Sequence, residues 1–242
     1  MRKESIRFYI YGIILLTILL VVSNRGDSSV HPALVKSNGA TKLNSNSKTK
    51  FLFVGVLTMI SKYNRRALIR GCYMRDIPEG IDVKFIFGKP KNEFEQNLLD
   101  MEGSLYNDIV VLDNEENLDD GKTYHFMKWA GGLQGYEFLL KTDDDVFLHL
   151  NNLNNKLKSI KSELNVVEGV YYGRHVPNTI FMAGMGYVLS FDLVYYIAND
   201  AYAKQNIKGQ EDGLVASWLK HGNKIKHFKT EDVEVRCIYV VL

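Results

Sequence analysis

Cysteine is almost absent from this chain: Cys72 and Cys237 are the only two among 242 residues. Two thiols alone cannot build a zinc site, and their separation leaves a disulfide, two free thiols or two unrelated side chains equally open. An excess of one charge is missing as well. The formal net charge is only +2, and Lys and Arg are spread along the chain, so composition gives nucleic-acid binding no support. No Asn-x-Ser/Thr sequon occurs, and N-glycosylation therefore offers no guide to compartment. Neither Gly-x-Gly-x-x-Gly nor Gly-x-x-x-x-Gly-Lys-Ser/Thr is present, so neither a dinucleotide fingerprint nor a P-loop is signalled. What is present is material for a core. At 46% hydrophobic and 24% charged, most of the chain reads as one globular domain.

The N-terminus decides the compartment. Phe8 to Val22 is an unbroken stretch without formal charge, preceded by Arg2, Lys3 and Arg7 and followed by the polar run Ser23-Asn-Arg-Gly-Asp-Ser-Ser. As a cleaved signal its apolar length is at the upper limit, and Val22-Ser23 is a poor small-x-small site. As an anchor it is short of the roughly 20 residues of a full span, but Ile6 and a snorkelling Arg7 extend it. Positive charge on the N-terminal flank keeps that end cytosolic, and the preferred reading is a type II anchor. Residues 1–7 are then a cytoplasmic tail, 8–22 a transmembrane signal anchor, 23–50 a stalk rich in Ser, Asn, Thr and Lys, and 51–242 a lumenal domain.

Within that domain, apolar runs alternate with helix-spaced ones. Phe51–Met59, Val83–Phe87, Asp108–Leu112 and Phe138–Lys141 read as strands, whereas Lys62–Met74, Phe94–Leu105 and Tyr124–Leu133 have helical period. The alternation predicts an α/β domain with a mostly parallel central sheet flanked by helices. The last of these strands runs straight into Asp143-Asp-Asp145. In open α/β sheets ligands bind at the carboxyl ends of strands, and three adjacent carboxylates repel unless a cation is present. Oxygen-only ligands suit a hard ion such as Mg²⁺ or Mn²⁺, which usually brings a phosphate-bearing substrate. An acidic turn that merely solvates a strand end is the plainer alternative.

A series of blocks occurs in a specific order: Arg65-Arg-Ala-Leu-Ile-Arg70, Asn107-Asp-Ile-Val-Val-Leu-Asp113, Lys122-Thr with Lys128-Trp-Ala130, Lys141-Thr-Asp-Asp-Asp-Val-Phe147, Ala183-Gly-Met-Gly-Tyr-Val-Leu-Ser190 and Glu211-Asp212. In order and spacing over residues 51–242 the chain resembles the β-1,3-glycosyltransferases, the family of the β-1,3-galactosyltransferases, the β-1,3-N-acetylglucosaminyltransferases and, more remotely, Fringe. The resemblance implies a GT-A type nucleotide-sugar-binding fold and a lumenal domain anchored in the Golgi membrane. It further implies inverting transfer of galactose or N-acetylglucosamine from a UDP-sugar to the glycan of a glycoprotein or glycolipid, with Mn²⁺ as cofactor. By the same resemblance Asp143 to Asp145 match an Asp-x-Asp motif, with Asp143 and Asp145 at the metal and Asp143 and Asp144 at the nucleotide. Arg66 and Arg70, one helical turn apart, would face the nucleotide; on spacing alone they are equally an exposed helix pair. Asp212 is implied as the general base that deprotonates the acceptor hydroxyl, although Glu211 and Asp212 at a helix start also read as acidic caps. Gly184 and Gly186 would let the backbone approach the sugar, the alternative being a tight turn before a strand over Tyr187–Leu189.

Three departures stand out. Glu211-Asp212 continues into Gly213 and Ala216-Ser-Trp218 where the family usually has Val and a later Gly-x-Cys. Gly71-Cys72 stands where relatives have Thr-Trp. Cys237-Ile-Tyr-Val-Val-Leu242 resembles the strand before the family's C-terminal metal-binding His, and His227 reads as a strand surface residue rather than its substitute. Either water completes the metal site, or the chain is a weakened or inactive member that binds UDP-sugar or glycan beside an active partner.

Overall fold

The computed structural model describes residues 50–230 and the short strand Ile238–Tyr239. The expected anchor at 8–22, most of the stalk and Cys237 lie outside the described residues. Among the described residues no helix is long and apolar enough to cross a membrane.

In chain order the elements are β1 (Lys50–Leu57), a short 3₁₀ turn, α1 (Tyr63–Gly71), β2 (Ile81–Phe87), α2 (Glu93–Tyr106), β3 (Ile109–Val111), α3 (Lys122–Ala130), β4 (Tyr136–Asp143), β5 (Val146–Phe147), α4 (Leu150–Leu164), β6 (Val170–His175), β7 (Met182–Ser190), α5 (Phe191–Asn199), α6 (Ala201–Gln205), α7 (Glu211–His221), β8 (His227–Thr230) and β9 (Ile238–Tyr239). The four strands expected before the aspartates are all present. Seven strands form one sheet in the order β3-β2-β1-β4-β7-β6-β8, and β5 pairs with β9.

The sheet is mostly parallel, as expected, with one strand reversed. β1 with β2, β2 with β3, β1 with β4 and β6 with β8 run parallel, but β7 is antiparallel to both β4 and β6. The β6–β7 link is too short for the crossover that parallel neighbours require. Gly184 and Gly186 therefore sit inside β7, not in a tight turn before it.

Alternation in the central strands divides the core between two faces. Leu52, Val54, Val56, Phe138 and Leu140 pack with Ile69, Leu99 and Leu157 on one side; Phe53, Leu57, Leu139, Tyr187 and Leu189 pack with Phe126, Val194 and Trp218 on the other. Gly55 belongs to the second face, where a Cβ would overlap the Phe126 ring. Helix α2 has a side-chain cap: Asn92 accepts from the Glu95 amide at 3.0 Å, and Asn107 closes the other end with φ 50°.

Candidate active site

Parallel register brings the ends of β1 and β4 level, with Leu57 opposite Asp143. The residues just beyond, Thr58 and Asp144, consequently meet: Thr58 Oγ1 donates to Asp144 Oδ2 at 2.6 Å. Arg65 Nη1 reaches the other oxygen of Asp144 at 2.6 Å and Asp145 Oδ2 at 3.4 Å. These groups line a cavity of about 220 Å³ that also includes Lys62, Glu116 and Lys122. Lys122 is almost fully buried and donates to the Thr58 carbonyl at 2.6 Å and to Glu116. Burial pushes its ammonium below the ordinary lysine range, against the attraction of Glu116. A larger cavity of about 470 Å³ near β6 and β8 has only His175 and Lys220 as titratable lining residues.

The three aspartates have different environments. Asp144 is buried and both its oxygens are held by the protein. Asp143 is a third exposed and lies 2.9 Å from Lys141 Nζ, while Asp145 is half exposed. Burial raises the Asp143 pKa despite Lys141. An ion held here would take Asp145 first and Asp143 second. No group of three or more His, Cys, Asp or Glu side chains placed to hold a metal is found among the described residues. The donor set fits a hard cation that keeps waters and phosphate oxygens and needs one or two carboxylates, as Mg²⁺ does.

Strand parity carries Lys141 and Asp143 to the side of the sheet that packs α3 and α7. There Lys141 Nζ donates to Glu211 and, at 2.8 Å, to the Gly184 carbonyl. Thr123 from α3 donates to Glu211 at 2.5 Å. Burial alone would lower the Lys141 pKa, but Glu211 and Asp143 reverse it; burial alone would raise that of Glu211, but Lys141 and the hydrogen bonds hold it low.

The antiparallel β7 runs back along β4, with Gly186 opposite Thr142, so Gly184 emerges at the same end as the aspartates. Asp212, in the first turn of α7, lies against Gly184, and a Cβ at that glycine would overlap its carboxylate. At Gly186 an added Cβ would make only ordinary contacts, the nearest at 3.7 Å. Asp212 Oδ1 is buried with no hydrogen-bond partner. Burial and then the neighbouring Glu211 push its pKa up to about 8. Glu211 and Asp212 are therefore not solvent-facing caps; both turn inward.

Two expected nucleotide residues are placed elsewhere. Arg66 and Arg70 do share a helix face, but that face meets α2: Arg66 Nε and Nη2 clamp Glu102 at 2.8 and 2.7 Å, and Arg70 clamps Asp108 at 2.8 and 2.9 Å. Arg66 is 1% exposed. Arg65, whose side chain diverges by the 100° of one helical step, takes the cavity instead. Lys122, Thr123, Lys141 and Glu211 stand in the sequence blocks but carried no site role there, and Thr58 was not singled out; the lysine two residues before an acidic triplet, in a largely apolar strand, was the available signal. His227 lies on β8, at the far edge of the sheet. Cys72 is exposed and free.

Residues 64–180 match the galactosyltransferase family profile, a span that includes Arg65, Lys122, Lys141 and the aspartates but ends before β7 and α7. A probable β-1,3-galactosyltransferase of Arabidopsis thaliana is 34% identical over 42% of this chain and 33% of its own length. The β-1,3-galactosyltransferase pvg3 of Schizosaccharomyces pombe is 23% identical over 81% of this chain and 70% of its own. A UDP-GalNAc:β-1,3-N-acetylgalactosaminyltransferase 2 of Xenopus tropicalis is 29% identical over 52% and 30%. The match thus spans about a third of the length of two of these relatives and 70% of the third.

Proposed function

We propose, on its similarity to the β-1,3-glycosyltransferases, that the chain is a member of that family and transfers galactose or an N-acetylhexosamine from a UDP-sugar to a glycan hydroxyl, with inversion, at the cavity beside Asp143 to Asp145. The supporting observation is that Asp143, next to the half-exposed Asp145, is joined through Lys141 to Glu211, and that Glu211 is paired with Asp212, a carboxylate with a free buried oxygen.

In this reading Arg65 and Lys62 face the diphosphate, and Asp145 with Asp143 would hold Mn²⁺ or Mg²⁺. When bound, such an ion supplies Lewis-acid stabilisation of charge on the departing UDP. Asp212 accepts the proton of the acceptor hydroxyl as its oxygen bonds to the anomeric carbon; the electrons of the broken anomeric C–O bond leave with UDP. Only ionised Asp212 can do this. With its pKa near 8, roughly a tenth is ionised at pH 7, and the rate rises with pH until about 8 and then levels. A lumenal Golgi placement behind an anchor at 8–22 accompanies this reading on sequence grounds alone.

UDP binding to the full chain, titrated with and without Mn²⁺ in wild type and Asp145→Ala, tests the site. Metal-dependent binding lost in the variant supports it; equal binding by both rejects Asp145 as the cation ligand. Binding without any sugar transfer would favour an inactive family member.

A further inference from the structure

Glu211 is a buried carboxylate that the proposed chemistry does not use. It holds three partners from three elements: the Lys141 ammonium on β4, the Thr123 hydroxyl on α3, and the Asp212 carboxyl beside it. Asp212 receives only what is left, Glu211 and the Gly184 backbone, and one of its oxygens has no partner. The remaining charged and titratable groups facing the pair are Asp143, through Lys141, and the buried Tyr171 and Tyr187 hydroxyls on β6 and β7. Neither tyrosine supplies positive charge.

We propose that Glu211 is a positioning residue that keeps Lys141 and Thr123 for itself and turns Asp212 under Gly184 with one oxygen free for the acceptor. Two adjacent carboxylates with one shared counter-ion do not both ionise easily. Glu211 has the ammonium and the hydroxyl donor, so it carries the charge and Asp212 carries the proton. The free oxygen is buried and kept unsatisfied by protein, which costs stability but leaves its hydrogen-bonding capacity for an incoming hydroxyl. Glu211 thereby sets the pH at which the base becomes available. This inference rests on the transferase reading only for its consequence, since the carboxylate pairing is a property of the resting protein.

The test is a carboxyl-carbon NMR titration of Asp212 in the full chain, in wild type, Glu211→Gln and Thr123→Val, with transfer rates measured over the same pH range. Glu211→Gln removes a neighbouring negative charge and frees Lys141, so the Asp212 midpoint moves to lower pH by about one to two pH units, and the rising limb of the rate profile moves with it. Thr123→Val leaves both carboxylates in place and moves the midpoint the same way by less. A midpoint unmoved in both variants, or moved upward, overturns the inference. A midpoint that moves as expected in a protein that transfers no sugar at any pH supports the positioning role and removes the transferase reading.

Discussion

Two buried charge clusters on neighbouring parts of this sheet have opposite characters. Arg66, Arg70, Glu102 and Asp108 join α1 to the end of α2 and the start of β3 with two cations against two anions; each guanidinium clamps a carboxylate with paired bonds, and Arg70 Nη1, which lacks a hydrogen bond, still ion-pairs with Glu102 at 2.8 Å. Lys141, Asp143, Glu211 and Asp212 set one cation against three carboxyls, and one oxygen is left without a partner. Balanced, well-bonded charge is what a fold can keep for structure, because breaking it strands a buried ion. Excess carboxyl with an unpartnered oxygen is a standing cost, tolerated where it does chemistry. The contrast assigns the arginines to the scaffold and supports placing the proposed reaction at the second cluster.

The variant with the largest expected effect is Asp212→Asn. Transfer falls by about a hundred- to ten-thousand-fold while UDP binding stays, measured by initial rates and by titration of UDP. The same variant also raises Tm. A carboxyl whose folded pKa lies above its unfolded value opposes folding as pH rises from about 4 to 8, so the gain is near nil at pH 4 and largest above 8. In the arginine cluster the sign reverses: Glu102→Ala leaves two buried guanidiniums short of partners and lowers stability by about 3–5 kcal/mol in urea unfolding. Were Glu102→Ala harmless and Asp212→Asn destabilising, the two clusters would have been assigned the wrong way round.

Smaller changes sharpen the same contrast. Gly184→Ala forces the Asp212 carboxylate aside, and the rate falls while Gly186→Ala, which meets only ordinary contacts, leaves it nearly unchanged. Arg65→Ala weakens UDP binding about ten- to hundredfold, because it removes a cation that faces the diphosphate in the proposed reading. Glu137→Gln, which breaks an exposed pair with Lys161, leaves Tm and rate unchanged.

The strand that delivers the aspartates was legible because an apolar run ending in three carboxylates has few structural uses. The first four strands and their helices were legible from alternation. The direction of β7 was not, because an antiparallel β7 has the same apolar pattern as a parallel one. Yet it is that direction that returns Gly184 to the aspartate end and with it Asp212. The arginines show a finer limit: spacing correctly put Arg66 and Arg70 on one face, but which face meets the cavity depends on the phase of α1 against α2, fixed by Glu102 at a distance of 36 residues from Arg66. Lys141 and Glu211, 70 residues apart, are paired only by the fold.

The most direct measurement is UDP release by the full chain across a panel of UDP-sugars, with simple glycoside acceptors, in Mn²⁺ and then in EDTA. The account predicts release with one donor, stimulated by an acceptor and abolished by EDTA. Release that is absent with every donor despite Mn²⁺-dependent UDP binding would contradict it.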